Sequence, residues 1–205
     1  MKPLRVHEFH PGTIQGEGTH AGRPADFLRL YGCPVGCWFC DTGYSAKAKH
    51  GKDIQWEALE VEELIGALTT DLVVISGGEP FMDADLPTLC QHLISEGHEV
   101  AIETSGAKWR LVPEAVWITL SPKEHISMKW PVIPAFWRRA NEIKLIISDE
   151  ADLEFYSPRF NHTTPVFLQP EHSTHEVGVA LIRDHLIRHP RHRLSLQTHK
   201  FINVP

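Results

Sequence analysis

Three of the four cysteines in this 205-residue chain, Cys33, Cys37 and Cys40, fall within eight residues in a C-x3-C-x2-C spacing. Thiolates on one tight loop can bind an iron-sulfur cluster, and a cubane cluster has four irons that are normally held by four cysteines. Three thiolates therefore leave one iron without a protein ligand, and that iron can bind and activate another molecule. The fourth cysteine, Cys90, falls on the apolar side of a predicted helix and is interpreted as a core residue.

A structural zinc site is the alternative explanation for clustered cysteines. Such a site normally completes a tetrahedron with four Cys or His ligands. With Cys90 assigned to the core, the loop offers only three. We expect Trp38 and Phe39, which lie between the last two cysteines, to shield the site from water. The spacing therefore favours an iron-sulfur cluster with one open iron over zinc.

A second motif that could bind a ligand is Ser76-Gly77-Gly78-Glu79-Pro80, which directly follows a short apolar run. Glycines at the carboxyl end of a strand let a ligand approach the backbone, and this edge is the usual binding edge of open α/β sheets. A simple turn is the alternative, and the Gly-Gly pair alone would favour it.

The elements that must position these motifs alternate between strand and helix. Short apolar or alternating runs predict strands, and amphipathic stretches predict the helices between them. The predicted strands cover residues 25–31, 72–75, 99–102, 116–120, 142–147, 165–168 and 194–196. The predicted helices cover residues 60–68, 86–96 and 176–188. Regular helix is not expected between Leu120 and Glu142, because three prolines lie in that connection.

This alternation predicts an α/β fold with a mostly parallel sheet. The chain length predicts one domain that spans residues 1–205. A complete eight-stranded (β/α) barrel of about 250 residues would not fit this length, whereas a partial, open barrel would.

Composition restricts the partners and the compartment. No apolar stretch approaches the about 20 residues that a membrane helix needs, and the first residues lack the apolar core of a signal peptide. We therefore expect a cytoplasmic protein with reduced thiols and no membrane contact. The formal net charge of -6 disfavours an extended nucleic-acid interface. A small-molecule substrate is expected.

The cysteine spacing resembles that of the radical S-adenosylmethionine (SAM) superfamily, in which a loop after the first strand of a partial (β/α) barrel holds a 4Fe-4S cluster. In that superfamily the open iron binds the amino and carboxylate groups of SAM. An electron from the cluster then cleaves SAM to a 5'-deoxyadenosyl radical. The segment from Ser76 to Pro80 resembles the glycine-rich motif that contacts the SAM amino group, and the joint match favours a ligand-binding loop over a simple turn.

Further segments resemble the 7-carboxy-7-deazaguanine synthases, radical SAM enzymes of deazapurine and queuosine biosynthesis. They are residues 15–18 with Arg29, then 40–42, 121–123 and 197–200, and the resemblance spans residues 14–205. The family converts 6-carboxy-5,6,7,8-tetrahydropterin to 7-carboxy-7-deazaguanine by abstracting the C6 hydrogen, contracting the ring and releasing ammonia. The resemblance thus implies a carbon-nitrogen lyase that forms a homodimer and receives electrons from a donor such as flavodoxin or ferredoxin.

The resemblance also implies a role for individual residues. Cys33, Cys37 and Cys40 would ligate the cluster. Thr42 would bind Mg²⁺, a cation that prefers oxygen ligands and would hold the substrate carboxylate. The residues implied near SAM are Phe39, Cys40, Asp41, Gly78, Ser121, Pro122, Lys123 and Gln169. The residues implied to contact the pterin are Ile14, Gln15, Gly16, Glu17, Arg29, Ser76, Glu103 and Pro205.

Specific contacts are expected for some of these residues. Glu17 and Glu103 could accept hydrogen bonds from the guanidine-like edge of the pterin, although each could equally be a solvated cap. Arg29 needs an anionic partner if it points inward. The closing segment 201–205 is apolar enough to be tucked in, and its end at Pro205 would reach the substrate.

Two alternative functions stay open. A glycyl-radical activating enzyme shares the cysteine spacing and the short barrel, as another small radical SAM enzyme would, but it lacks the magnesium site that Thr42 implies. A non-catalytic iron-sulfur or zinc module would leave residues 77–80, 121–123 and 197–200 unexplained.

Overall fold

The structure is a computed structural model that describes residues 2–44, 54–126, 128–160 and 163–205. Within these residues, nine strands form one sheet. The strands are β1 (Leu4–Ile14), β2 (Pro24–Leu30), β3 (Glu57–Leu59), β4 (Leu72–Gly77), β5 (Glu99–Thr104), β6 (Trp117–Leu120), β7 (Glu142–Ile147), β8 (Val166–Pro170) and β9 (Arg193–Leu194). The helices are α1 (Val61–Ala67), α2 (Leu86–Ser95), α3 (Pro134–Arg139), α4 (Glu150–Tyr156), α5 (His175–Arg188) and α6 (Thr198–Ile202).

The sheet has the strand order β3-β1-β2-β4-β5-β6-β7-β8-β9. Every pair from β2 to β9 is parallel, whereas β1 pairs antiparallel with both β2 and β3. The sheet is not closed, since β3 and β9 lie at its two ends. The predicted α/β fold with a mostly parallel, partial-barrel sheet is confirmed.

Helices α1 to α5 cover one face of the sheet, and the main hydrophobic core lies between that face and α1, α2 and α3. Apolar side chains of β2 and β4–β6 pack there with α1, α2 and α3, and Cys90 is fully buried among them, as predicted. A second apolar cluster joins β7 and β8 to α4 and α5. Because side chains alternate along a strand, the residues between these core positions point to the opposite face. Arg29, Glu103 and Lys144 are three of these residues.

Among the parts of the fold that differ from the prediction are β1 and α3. β1 was not predicted, because Glu8 and His10 interrupt its apolar pattern; two register shifts against β2 accommodate the irregular part of the strand. α3 lies within the connection where prolines argued against helix. Pro134 is its first residue, a position where a missing N–H costs nothing because that N–H has no partner inside the helix.

The shorter elements β3, α4 and α6 were also not predicted, and the strand expected at 194–196 is the two-residue β9. No helix of the described residues is long and apolar enough to cross a membrane. The parallel strands end at a common edge of the sheet, and both motifs of the sequence analysis follow strands there: the cysteine loop follows β2 and the glycine-rich segment ends β4.

Candidate active site

A cavity of about 680 Å³ lies at this edge of the sheet and collects residues from nearly the whole length of the chain. Most of the residues singled out in the sequence line it. They are Ile14, Gln15, Glu17, Arg29, Cys33, Cys37, Phe39, Cys40, Asp41, Thr42, Ser76, Gly78, Glu103, Ser121, Lys123, Gln169 and Pro205.

Two residues that the resemblance implied near SAM or the pterin, Gly16 and Pro122, do not line the cavity. Pro122 is buried. Gly16 packs against α6: a Cβ at this position would lie 2.2 Å from Nδ1 of His199, and its carbonyl oxygen accepts a hydrogen bond from Oγ1 of Thr198 at 3.0 Å. Gly16 therefore lets the last helix approach the cavity.

The cysteine loop carries three free, partly buried thiols. Burial raises the pKa of Cys33 to about 12, although backbone N–H groups of Val35 and Gly36 donate to its sulfur. Burial also raises the pKa of Cys37, and the nearby charge of Lys123 opposes this effect. A bound metal stabilises the thiolate outright, so these thiols are the kind of group that a cluster would hold deprotonated.

The expectation that both aromatic residues of the loop exclude water is wrong for Trp38, which is 52% exposed. Phe39 does line the cavity. The two rings pack edge to face with centroids 5.2 Å apart. Only Phe39 is therefore placed to cover the cysteines.

The glycine-rich segment lies directly against the start of the cysteine loop. The N–H of Gly78 donates to the carbonyl of Leu30 at 3.1 Å, and that of Glu79 donates to the carbonyl of Gly32 at 2.9 Å. A Cβ on Gly78 would lie 2.1 Å from the same Gly32 oxygen and 2.7 Å from Cβ of Cys33. The close approach of these two backbones requires glycine here.

Glu79 connects the glycine-rich segment to the end of β5. Its buried carboxylate accepts hydrogen bonds from Oγ1 of Thr104 at 2.7 Å, from the N–H of Ser105 at 2.9 Å and from the Ser105 hydroxyl. Burial raises the pKa of Glu79, and these donors oppose that rise. The glutamate of the motif therefore fixes the loop from inside the protein and does not line the cavity.

Arg29 points into the cavity and has the anionic partner that the sequence led us to expect. Its Nε donates to Oε2 of Glu8 at 2.7 Å, and its Nη1 donates to Oγ1 of Thr42 at 3.0 Å. Partial burial raises the pKa of Glu8, but the Arg29 charge and hydrogen bond outweigh it, and the pKa is lowered. The Thr42 hydroxyl in turn donates to Asp41 at 3.3 Å.

A buried group of charges forms another part of the wall. Nζ of Lys144 lies 2.7 Å from Oε2 of Glu103 and also donates to Oε2 of Glu17. Nε2 of Gln169 donates to the other oxygen of Glu17 at 3.2 Å, and Ser195 Oγ donates to Oε1 of Gln169 at 2.9 Å. Glu17 and Glu103 are thus paired with a buried lysine and are not solvated caps.

Two more predicted residues occupy the loop after β6. Nζ of Lys123 donates to the carbonyl and hydroxyl oxygens of Ser121 at 2.7 Å and 2.5 Å. Burial lowers the pKa of Lys123, and the neighbouring Cys37 opposes that shift. This lysine therefore places a positive charge beside the cysteine loop.

The end of the chain reaches the cavity only in part. The Oγ1 of Thr13 donates to the backbone oxygen of Pro205 at 3.0 Å, and Pro205 lines the cavity. Phe201 and Ile202, however, are exposed. The expectation that the whole closing segment is tucked in is therefore wrong for these two side chains.

Sequence reasoning gave no individual role to several residues in or near the cavity, among them Glu8, Glu79, Lys144 and His199. Lys144 carried a usable signal, because a lysine inside the apolar run of β7 must find a partner if it is buried. The side-chain partners of the other three come from distant elements, although Glu79 and His199 lie within segments that the sequence analysis singled out.

The donor set fits a 4Fe-4S cluster. Three free thiols of one loop line a cavity, with a lysine charge beside them. Among the described residues, no group of three His, Cys, Asp or Glu side chains could hold a single metal ion. A cubane cluster binds each thiolate through a different iron, so its ligands need not converge on one point.

Comparisons with known proteins are consistent with this geometry. A family model of the radical SAM superfamily matches residues 28–116. A 7-carboxy-7-deazaguanine synthase of Flavobacterium psychrophilum is 38% identical over 208 residues, which cover 100% of this chain and 93% of that protein. The synthase of Escherichia coli K12 is 34% identical over 94% of this chain and 95% of its own length.

Similarity extends to a solved structure. The crystal structure of QueE from Escherichia coli covers 94% of this chain and 93% of that chain, with a TM-score of 0.78 and 32% sequence identity.

Proposed function

This chain belongs to the 7-carboxy-7-deazaguanine synthase family of radical SAM enzymes, and from that premise we propose that its cavity converts 6-carboxy-5,6,7,8-tetrahydropterin to 7-carboxy-7-deazaguanine with release of ammonia. The observation that carries the proposal is the joint placement, in one cavity, of the cysteine loop, the glycine-rich segment and a buried acidic wall. The first two suit the cofactors, and the third suits an N–H-rich heterocycle.

We propose that Cys33, Cys37 and Cys40 hold a 4Fe-4S cluster and that SAM binds beside it. When bound, these cofactors supply the radical chemistry that removes a hydrogen atom from the substrate. The protein's own contribution is to position SAM and the substrate and to exclude water from the cavity. The backbone of Gly78 can approach a ligand closely, because it carries no side chain. Residues proposed to surround SAM are Phe39, Cys40, Asp41, Gly78, Ser121, Lys123 and Gln169.

Pro122 takes a supporting role in this proposal, because it is buried next to Ser121 and Lys123 and does not reach the cavity. Its fixed φ angle restricts the backbone of the loop. The Lys123 ammonium, held by the two Ser121 oxygens, is placed to attract the carboxylate of an amino-acid ligand.

We assign the two ends of the pterin to opposite charges in the cavity. Arg29 is proposed to bind the substrate carboxylate, since a guanidinium suits a carboxylate geometrically. Glu17 and Glu103 are proposed to accept hydrogen bonds from the aminopyrimidine edge. Ile14, Gln15, Ser76 and Pro205 also line the cavity and are proposed to contact the ring system, while Gly16 allows α6 to approach it.

We propose that Thr42 binds Mg²⁺ through its side-chain oxygen. A hydroxyl oxygen has two acceptor sites, and Arg29 occupies one of those on Thr42. The second is free to bind Mg²⁺, which would otherwise be held by water and by the substrate carboxylate. The residues present therefore fit a weakly held ion that is completed by the substrate.

We also propose the domain organisation, the oligomeric state, the compartment and the electron donor of this enzyme. The chain forms a single radical SAM domain over residues 1–205, because one sheet takes strands from both halves of the described chain. The enzyme acts as a homodimer in the cytoplasm, where its thiols stay reduced, and its electron donor is a small redox protein such as flavodoxin or ferredoxin.

Anaerobic reconstitution with iron and sulfide tests the proposed function. Incubation with SAM, a reductant and 6-carboxy-5,6,7,8-tetrahydropterin is expected to give both 5'-deoxyadenosine and 7-carboxy-7-deazaguanine. Formation of 5'-deoxyadenosine without the deazapurine would retain the superfamily and rule out this substrate, as for a glycyl-radical activating enzyme.

A further inference from the structure

Lys144 lies on β7 between two carboxylates that come from distant parts of the chain. Its Nζ contacts Glu17, which precedes a short 3-10 helix, and Glu103, which lies on β5. The three side chains are 6%, 14% and 16% exposed. The proposed function gives the two glutamates a substrate contact but leaves this lysine without a role.

The three residues have polar neighbours, and several of these neighbours donate hydrogen bonds to the two carboxylates. Gln169 donates to Glu17, and Nε2 of Gln15 lies 3.5 Å from Oε1 of Glu103. Other titratable groups that face them are Glu142, Lys123 and His199. Of these, Glu142 is already engaged, since it accepts from Thr119 and from the N–H of Thr19.

Two buried carboxylates this close together do not both ionise without a cation. Burial alone would raise the pKa of Glu17, but the charge of Lys144 lowers it to about 2. Burial and the neighbouring Glu17 raise the pKa of Glu103, and Lys144 opposes that rise. The same two carboxylates raise the pKa of Lys144, which therefore stays charged.

Resting on the proposed function, we propose that Lys144 is a positioning residue that holds Glu17 and Glu103 as a pair of hydrogen-bond acceptors for the 2-amino-4-oxo edge of the pterin. The ammonium occupies one oxygen of each carboxylate and fixes its orientation. The remaining oxygens already face Gln169 on Glu17 and Gln15 on Glu103, but each keeps a second acceptor site that can accept an N–H group of the substrate. A heterocycle with oxygen in place of the 2-amino group would leave a buried acceptor unpaired, so this arrangement also selects the substrate.

Binding of 6-carboxypterin, a fluorescent analogue of the substrate, to reconstituted protein with SAM tests this role. Lys144→Met keeps the length of the side chain and removes the charge, so the two carboxylates must share a proton, and one of them becomes a donor. We expect the Kd to rise by about 10- to 100-fold near neutral pH, since at least one charged hydrogen bond is lost. The surface variant Lys129→Met is the matched control and should bind normally.

The pH dependence of ligand binding distinguishes a positioning role of Lys144 from a general distortion of the pocket. In Lys144→Met, ligand binding must release the shared proton, so the ratio of its Kd to the wild-type Kd should fall as the pH rises from about 6 to 7.5, by up to tenfold per unit. Taking the ratio cancels the ionisation of the pterin itself. A distorted pocket would give a ratio that does not change with pH.

The double variant K144M/E103Q covers the case in which the single variant does not fold. It removes one carboxylate together with the cation, so the net charge of the group is unchanged. We expect it to fold and to bind 6-carboxypterin weakly, with no change of the ratio with pH. Loss of the fold in both variants would show a purely structural role and overturn the proposal.

Further measurements distinguish failure of the role proposed for Lys144 from failure of the proposed function. Equal binding by Lys144→Met and the wild type, or equal wild-type binding of 6-carboxypterin and 6-carboxylumazine, would overturn the role of Lys144 and leave the proposed function standing. Lumazine carries oxygen in place of the 2-amino group, and we expect it to bind at least about 100-fold more weakly. Failure of the wild type to bind 6-carboxypterin and also 6-carboxy-5,6,7,8-tetrahydropterin would overturn both the role of Lys144 and the proposed function.

Discussion

The carbonyl oxygen of Gly32 lies 2.1 Å from where a Cβ of Gly78 would be. This close approach joins the loop that carries the cysteines to the segment that ends β4, so the two proposed cofactor-binding motifs pack directly against each other. Replacing Gly78 by Ala must push these backbones apart. We expect Gly78→Ala to lower the free energy of unfolding by about 1–3 kcal/mol and to abolish SAM binding.

Thermal unfolding and SAM binding of the reconstituted protein measure these effects. Gly66 in α1 is the matched control, because an added Cβ there meets no atom within 4 Å. Gly66→Ala should be neutral or stabilising by about 0.5–1 kcal/mol, since alanine favours helix. Normal SAM binding by Gly78→Ala would contradict the importance of this approach.

The cysteines differ sharply in what they are expected to hold. Cys37→Ala should remove a cluster ligand, and the reconstituted variant should lose its brown colour and most of its iron. Cys90→Ala should keep both, because Cys90 is fully buried in the core, and should only lower the free energy of unfolding by about 1 kcal/mol through the small cavity it leaves. Full retention of iron by Cys37→Ala would count against the ligand assignment.

Thr42 offers a test of magnesium that does not depend on the cluster ligands. Thr42→Val removes the hydroxyl while keeping the shape, so stimulation of turnover by Mg²⁺ should disappear. Thr42→Ser keeps the oxygen and should retain the stimulation. Because Arg29 also donates to this hydroxyl, both variants are compared by their response to added Mg²⁺ and not by activity alone. An unchanged response in Thr42→Val would remove Thr42 from the proposed magnesium site.

A buried histidine predicts how stability changes with pH. Burial, together with the charges of His189 and His192, lowers the pKa of His185 to about 4. The unfolded chain binds the proton more tightly than the folded chain does, so stability is lost as the pH falls from about 6.5 towards 4. The loss should reach about 1–3 kcal/mol.

Urea unfolding of wild type and His185→Gln at several pH values measures this contribution. The variant should show a shallower decline of the free energy of unfolding over the same range. Gln keeps a hydrogen-bonding group for His192, whose ring lies 2.9 Å from Nε2 of His185. Parallel pH curves for the two proteins would show that His185 does not titrate in this window.

Local patterns in the sequence predicted the motifs well. The cysteine loop and the glycines at the end of β4 are each defined by residues that are close in sequence. A short stretch of sequence is therefore enough to predict them. The apolar runs that became β4, β5 and β7 are equally local. The helix α3 was not predicted, because prolines were interpreted as breakers although Pro134 opens the helix.

The pairing of charges could not be predicted from the sequence. Glu17 and Lys144 are 127 positions apart, and they meet because the segment between β1 and β2 that carries Glu17 lies against β7. Glu8 was missed for a related reason, since β1 breaks the apolar alternation that marks other strands. A charged residue can be a solvated cap or can line the cavity. Tertiary contacts decide between the two, and the apolar periodicity of the sequence does not predict those contacts.

The most direct test of the central claim uses 6-carboxy-5,6,7,8-tetrahydropterin labelled with deuterium at C6. With the reconstituted enzyme, SAM and reductant, mass spectrometry is expected to find deuterium transferred to 5'-deoxyadenosine and 7-carboxy-7-deazaguanine formed in proportion. Unlabelled 5'-deoxyadenosine, with the deuterium retained in an unconverted pterin, would contradict the proposed function.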